Sequence, residues 1–113
     1  MIGGMTGQIV PFRRFAPPVP PSLAELAERV RRLATDSEDA MGMLHPHLKE
    51  RMTQRSIGMR EILETVRKGE GIKGPTKDQY GDWRIKMRRL VAGRRVHVVV
   101  AVREKEFTVI TVM

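Results

Sequence analysis

The 113-residue chain contains no cysteine, which removes disulfides, thiolate zinc sites and cysteine nucleophiles from the chemistries open to it. Aromatic side chains are scarce, with one tryptophan, one tyrosine and three phenylalanines. Near the basic strand only Tyr80 and Trp83 are large planar groups. Tyr80 falls in a loop where it can stack on a base, and Trp83 opens an apolar strand face. No N-terminal apolar stretch is long enough for a signal peptide or a transmembrane helix, so a cytoplasmic protein is expected. Acidic residues are also few: 13 Asp and Glu face 21 Lys and Arg, a formal +8. Such an excess favours polyanionic partners through counterion release. The cations are not gathered on one amphipathic stripe, which points to nucleic acid rather than to a membrane surface.

Residues 1–21 read as a flexible tail. Glycines at 3, 4 and 7 and prolines at 11, 17, 18, 20 and 21 favour extended, polyproline-like chain with no sustained period. Ser22 and Glu25 have capping-box spacing, and Leu23, Leu26, Ala27, Val30 and Leu33 follow with a helical period, so an amphipathic helix is expected over residues 22–34. Its stripe can be covered by the body or by a second copy in a homodimer, and the sequence fits both. The acidic stretch from Asp36 to Asp39 breaks the pattern and places a hinge over about residues 35–43.

From residue 44 a single domain is expected. Pro46 suits the first turn of a helix to residue 55, with Leu48 and Met52 facing inward. Ser56 to Gly58 form a turn, and Met59, Ile62, Leu63 and Val66 give a third helix closed by Gly69. Glycines at 69, 71 and 74 and Pro75 predict a loop up to about Gly81. Three strands follow, at about 82–91, 95–103 and 106–112, joined by connections short enough for hairpins. The expected fold is α+β: N-terminal helices packed on one face of a three-stranded antiparallel β-meander, the other face open.

Two constellations carry chemistry. His47, Arg51 and Arg55 recur every fourth residue along one helix flank. Arg84, Lys86 and Arg88 alternate with Trp83, Ile85 and Met87, which separates three cations from three apolar groups across a strand. His97 is the lone titratable group in the apolar run from Val96 to Val102, and imidazole is suited to proton transfer near neutral pH. Cations to hold phosphate and a histidine to move protons are the minimal parts of a metal-free ribonuclease. His45 and His47 diverge on a helix and no cysteine completes a set, so neither metal nor cofactor is expected.

The run from His47 to Ile57, the helix closed by Gly69, the strand Trp83 to Arg88, Gly93 to Val100, and Val109 to Val112 together resemble the domain-of-unknown-function family numbered 4258. The resemblance covers residues 44–113. That family is similar to the RelE-type and MqsR-type toxins, small ribonucleases of toxin–antitoxin pairs with helices on one face of an antiparallel sheet. The resemblance implies RNA cleavage, on free RNA or on the ribosome, restrained by a cognate antitoxin. One departure stands out: the family usually has glycine where Ser56 stands.

The expected chemistry is attack of a ribose 2′-hydroxyl on its own 3′ phosphate. His97 or His47 moves the proton, and Arg84, Lys86 and Arg51 stabilise the charge that develops. Arg55, Arg88 and Tyr80 bind RNA. Each group also has a plainer role. The helix flank fits a solvated basic face with Arg51 paired to Glu50 or Glu61, and the strand cations fit the wet face of a one-sided sheet. His97 fits a partly buried structural histidine. The alternative function is a non-catalytic nucleic-acid- or protein-binding module that uses the same basic sheet face.

Overall fold

A computed structural model describes residues 20–36 and 46–113. The tail over residues 1–19, most of the expected hinge and His45 lie outside the described residues. Among the described residues three helices, α1 (Leu23–Asp36), α2 (Leu48–Arg55) and α3 (Met59–Lys68), precede four strands: β1 (Glu70–Lys77), β2 (Trp83–Val91), β3 (Arg94–Val102) and β4 (Phe107–Val112). The strands form an antiparallel sheet in the order β1-β2-β3-β4. No described helix is long and apolar enough to cross a membrane.

Strand β1 corrects the expectation of three strands and a loop after Gly69. Glycine and proline weaken a central strand, but proline is tolerated at an edge or beside a bulge. Here β1 is the edge strand, and its register shifts twice, between Gly71 and Lys73 and between Lys73 and Thr76. Those irregularities absorb Gly74 and Pro75. The remaining five residues before β2 close a turn around Asp78, whose carboxylate accepts the backbone N–H groups of Tyr80 and Asp82 at 2.9 Å each.

Alternation along β3 sets the core. Val96, Val98, Val100 and Val102 are buried, as are Ile85 and Met87 of β2 and Phe107, Val109 and Val112 of β4. Against them pack Leu26 and Val30 of α1, Leu48 of α2, Ile57, and Ile62 and Val66 of α3. All three helices therefore share one face of the sheet. Helix α1 lies mainly on β1 and α3, so its apolar stripe is covered by the body of its own chain. Ser22 caps it by accepting the Glu25 N–H at 3.1 Å. Arg31 donates to the Gly69 carbonyl at 2.9 Å, and Arg67 reaches back to the Ala34 carbonyl at 3.0 Å.

Two glycine-type positions show why backbone space matters. Gly69 ends α3 in an extended conformation, not a left-handed one, and a Cβ there would stand 2.4 Å from the Thr65 carbonyl oxygen and 2.8 Å from that of Arg88. Close approach of two backbones is what requires glycine. Ser56, in contrast, closes α2 in the left-handed region at φ 54 and ψ 44, where an L side chain is strained. Glycine would carry no such strain there.

Two stability outcomes follow from these contacts. Ser56→Gly is expected to raise stability by about 1 kcal/mol, since only the left-handed penalty is removed. Leu26→Ala is expected to cost roughly 2–5 kcal/mol. Urea unfolding midpoints at unchanged slope check both.

Candidate nucleic-acid interface

Because the helices cover one face, every second residue of each strand is left on the other. Pairing lines these residues into rows. Glu70, Arg88 and His97 form one row, Lys73, Lys86, Val99 and Thr111 the next, and Thr76, Arg84, Ala101 and Thr108 a third. Beyond the first row, Leu90 pairs with Arg95. Arg84, Lys86, Arg88 and His97 thus share the open face. Arg84 is not beside the histidine, however: it sits four residues from Arg88 along β2, about 13 Å at the usual strand rise.

Carboxylates reach this face from the segment whose sequence reads as loop. Asp78 lies 3.1 Å from Arg84 Nε, and Glu70 lies 2.5 Å from Arg88. The Asp78 carboxyl is held below the usual range: burial pushes it up, but the Asp82 and Tyr80 N–H groups and the Arg84 guanidinium outweigh that. Arg84 consequently braces the β1–β2 turn. Tyr80, 76 % exposed, stands on that turn, and Trp83 packs against the core with Lys77 Nζ 5.1 Å from its ring centre.

Lys73 and Lys86 are different. They face each other across β1 and β2, and among the described residues neither has an ion-pair partner. Like charges directly opposite on a sheet repel, a cost that a bound anion would cancel. Beside them His97 is half-buried. Burial, and then the charges of Lys86, Arg88 and Arg95, hold its imidazole below the ordinary histidine value. The ring is therefore neutral at neutral pH, the state in which it can accept a proton.

The helix constellation stands elsewhere. His47, at the N-terminal cap of α2, and Arg51 and Arg55 sit on the helix that packs against β4 from the core side. The structure does not bring them onto the face of His97. Arg51 has no ion-pair partner among the described residues. Glu61, instead of pairing with Arg51, accepts the Gly58 N–H at 2.9 Å and lies 3.7 Å from Arg94. The Arg55 carbonyl accepts from Arg94. Among the described residues no three histidines or carboxylates converge as a metal site would require.

Two members of the face escaped the strand pattern. Lys73 sits among glycines that hide the strand it belongs to. Arg95 carried a usable signal, since it lies two residues before His97 in an extended run.

Residues 44–113 match the family described as Domain of unknown function (DUF4258). No curated protein and no solved structure matches the chain.

His97 is expected to titrate below free histidine when followed by NMR, and Lys86→Ala should move its midpoint upward. The folded state then holds the proton less tightly than the unfolded chain. Its contribution to stability is full above about pH 6.5 and declines as pH falls from there through the lowered midpoint. Melting temperatures compared at pH 7.5 and 5 should lose that part of their pH dependence in His97→Gln.

Proposed function

The chain belongs to the DUF4258 family, and we propose that it is a metal-independent endoribonuclease toxin of a toxin–antitoxin pair. The observation that carries this proposal is the placement of His97 among unpaired and partly paired cations on an open sheet face. The sequence pattern, which we read as resembling RelE-type and MqsR-type toxins, supports it. So does the architecture, with helices on one face of an antiparallel sheet and a basic face left uncovered.

In this mechanism the RNA backbone lies along the open face of β2. His97 takes the proton of a ribose 2′-hydroxyl, and the 2′-oxygen bonds to the adjacent phosphorus as the bond to the 5′-oxygen breaks. Lys86 and Arg88, the cations nearest His97 on β2, stabilise the charge on the phosphorane oxygens, with Lys73 beside them across the β1–β2 pair. One such donor is typically worth about 3–4 kcal/mol at the transition state. The 5′-oxygen is protonated from solvent, since no second histidine among the described residues stands on this face. Arg84 and Tyr80 act farther along the strand, on a flanking phosphate and base. A site with one histidine is slow on free RNA, and the ribosome is the natural place for it to be completed. The cognate antitoxin is expected to cover this same face.

A second reading is binding without cleavage. It is favoured by the pairs Arg84–Asp78 and Arg88–Glu70, which tie two of the face's cations to carboxylates.

His97→Gln separates the two. It is expected to fold and to retain RNA binding, while cleavage and growth arrest fall by roughly a hundredfold or more. Parent-level growth arrest in that variant, with cleavage continuing at the parent rate, would sink the ribonuclease proposal. For the parent enzyme the rate should fall as pH drops through the lowered His97 midpoint, because protonation removes the base. Lys86→Ala should weaken RNA binding and reduce its salt slope by roughly one counterion.

A further inference from the structure

At the end of the sheet next to the β2–β3 hairpin, the last turn of α3 and the first residue of β1 close a cavity of about 590 Å³. It is lined by Lys68, Glu70, Arg88, Arg89, Leu90 and Arg95. Four cations therefore converge where the lining holds one carboxylate, and that carboxylate is 2.5 Å from Arg88. A second one, Glu64, lies 3.5 Å from Lys68 Nζ and 3.6 Å from Arg89 Nε, so it is shared between two cations. Arg95 has no ion-pair partner among the described residues. The cavity keeps an excess of positive charge that the protein does not balance.

Arg89 adds an independent observation. Its Nε is shielded from solvent and has no hydrogen-bond partner, because Glu64 is too distant and only Nη1 finds an acceptor, the Lys68 carbonyl at 3.3 Å. The Glu64 carboxylate, 3.6 Å away and shared with Lys68, meets the charge of this guanidinium only in part. In the same lining Leu90 is 63 % exposed, an apolar surface surrounded by cations. A bare anion would satisfy the charges and leave Leu90 wet. A ligand with an anionic group and a flat apolar part covers both.

We infer that this cavity binds a nucleotide unit, its phosphate held by Arg95 with Arg88 on the open face of the sheet and its base laid against Leu90. The unit has two sources, a free mononucleotide or one nucleotide of an RNA strand whose neighbouring phosphate lies beside His97, since Arg88 belongs both to this lining and to the His97 row. Binding does not require turnover, so the inference stands apart from the cleavage proposal.

The test is equilibrium titration of the full chain, by calorimetry and amide NMR, with adenosine 5′-monophosphate, inorganic phosphate and a short oligoribonucleotide. Adenosine 5′-monophosphate is expected to bind saturably, to shift the amides of residues 68–70 and 88–95, and to bind more tightly than inorganic phosphate. Arg95→Ala should weaken it about tenfold or more. Leu90→Ser should weaken the nucleotide while leaving phosphate unchanged. Both substitutions are at exposed positions, and an unchanged amide spectrum elsewhere shows that the fold persists. Displacement of the mononucleotide by the oligoribonucleotide would assign the cavity to a strand; its absence would assign it to the free nucleotide. His97→Gln should leave the titration unaltered even where it abolishes cleavage. No saturable binding of the mononucleotide, or equal binding by Arg95→Ala, would overturn the inference. Equal affinity for phosphate and nucleotide with no effect of Leu90→Ser would overturn the role of the base.

Discussion

The burial of alternate valines along β3 is the constraint on which the remaining structure depends. Val96, Val98, Val100 and Val102 are each nearly or completely removed from solvent, and full burial of a side chain of that size contributes about 1.5–3 kcal/mol. Slipping the strand by one residue would turn all four outward, at a cost on the order of 10 kcal/mol. Because pleating sends neighbours to opposite faces, the same valines force Arg95 and His97 onto the uncovered side. The position of the candidate base is thus a by-product of core packing.

The open face is shaped by an unequal distribution of carboxylates. Asp78 and Glu70, brought in by the edge strand and its turn, neutralise Arg84 and Arg88 at the two ends of β2. Lys73 and Lys86 between them are left without such partners among the described residues. Partial burial, and then the charges of Lys86, Arg88 and Arg95, disfavour a positive charge on the His97 ring. One arrangement therefore concentrates positive charge on the open face and lowers the proton affinity of the imidazole.

Helix α1 lies outside the residues that match the family, yet Leu26 and Val30 are part of the same core as β3. Gly71 allows the contact: a Cβ on it would meet Leu23 Cδ1 at 2.8 Å and the Ala27 Cβ at 3.1 Å. The helix docks where β1 has no side chain to hold it off. Arg31 and Arg67 add side-chain to backbone bonds in both directions between α1 and the α3–β1 connection. The matched domain and the folded unit in this chain are consequently not the same span.

Much of this was legible in the amino-acid order, because short-range periodicity needs no partner to be read. The three helices, the strands β2 to β4, and the separation of Arg84, Lys86 and Arg88 from Ile85 and Met87 all follow from spacings of two or of three to four residues. Strand β1 was not legible: glycine and proline signal a loop unless the segment lies at a sheet edge, and edge position is a property of the assembled sheet. Tertiary structure alone decided that α1 covers its own chain, that Asp78 and Glu70 reach the cations, and that His47, Arg51 and Arg55 stand apart from His97. Each is a contact between residues distant in sequence, and side-chain identity carries no record of which distant neighbour folding will supply.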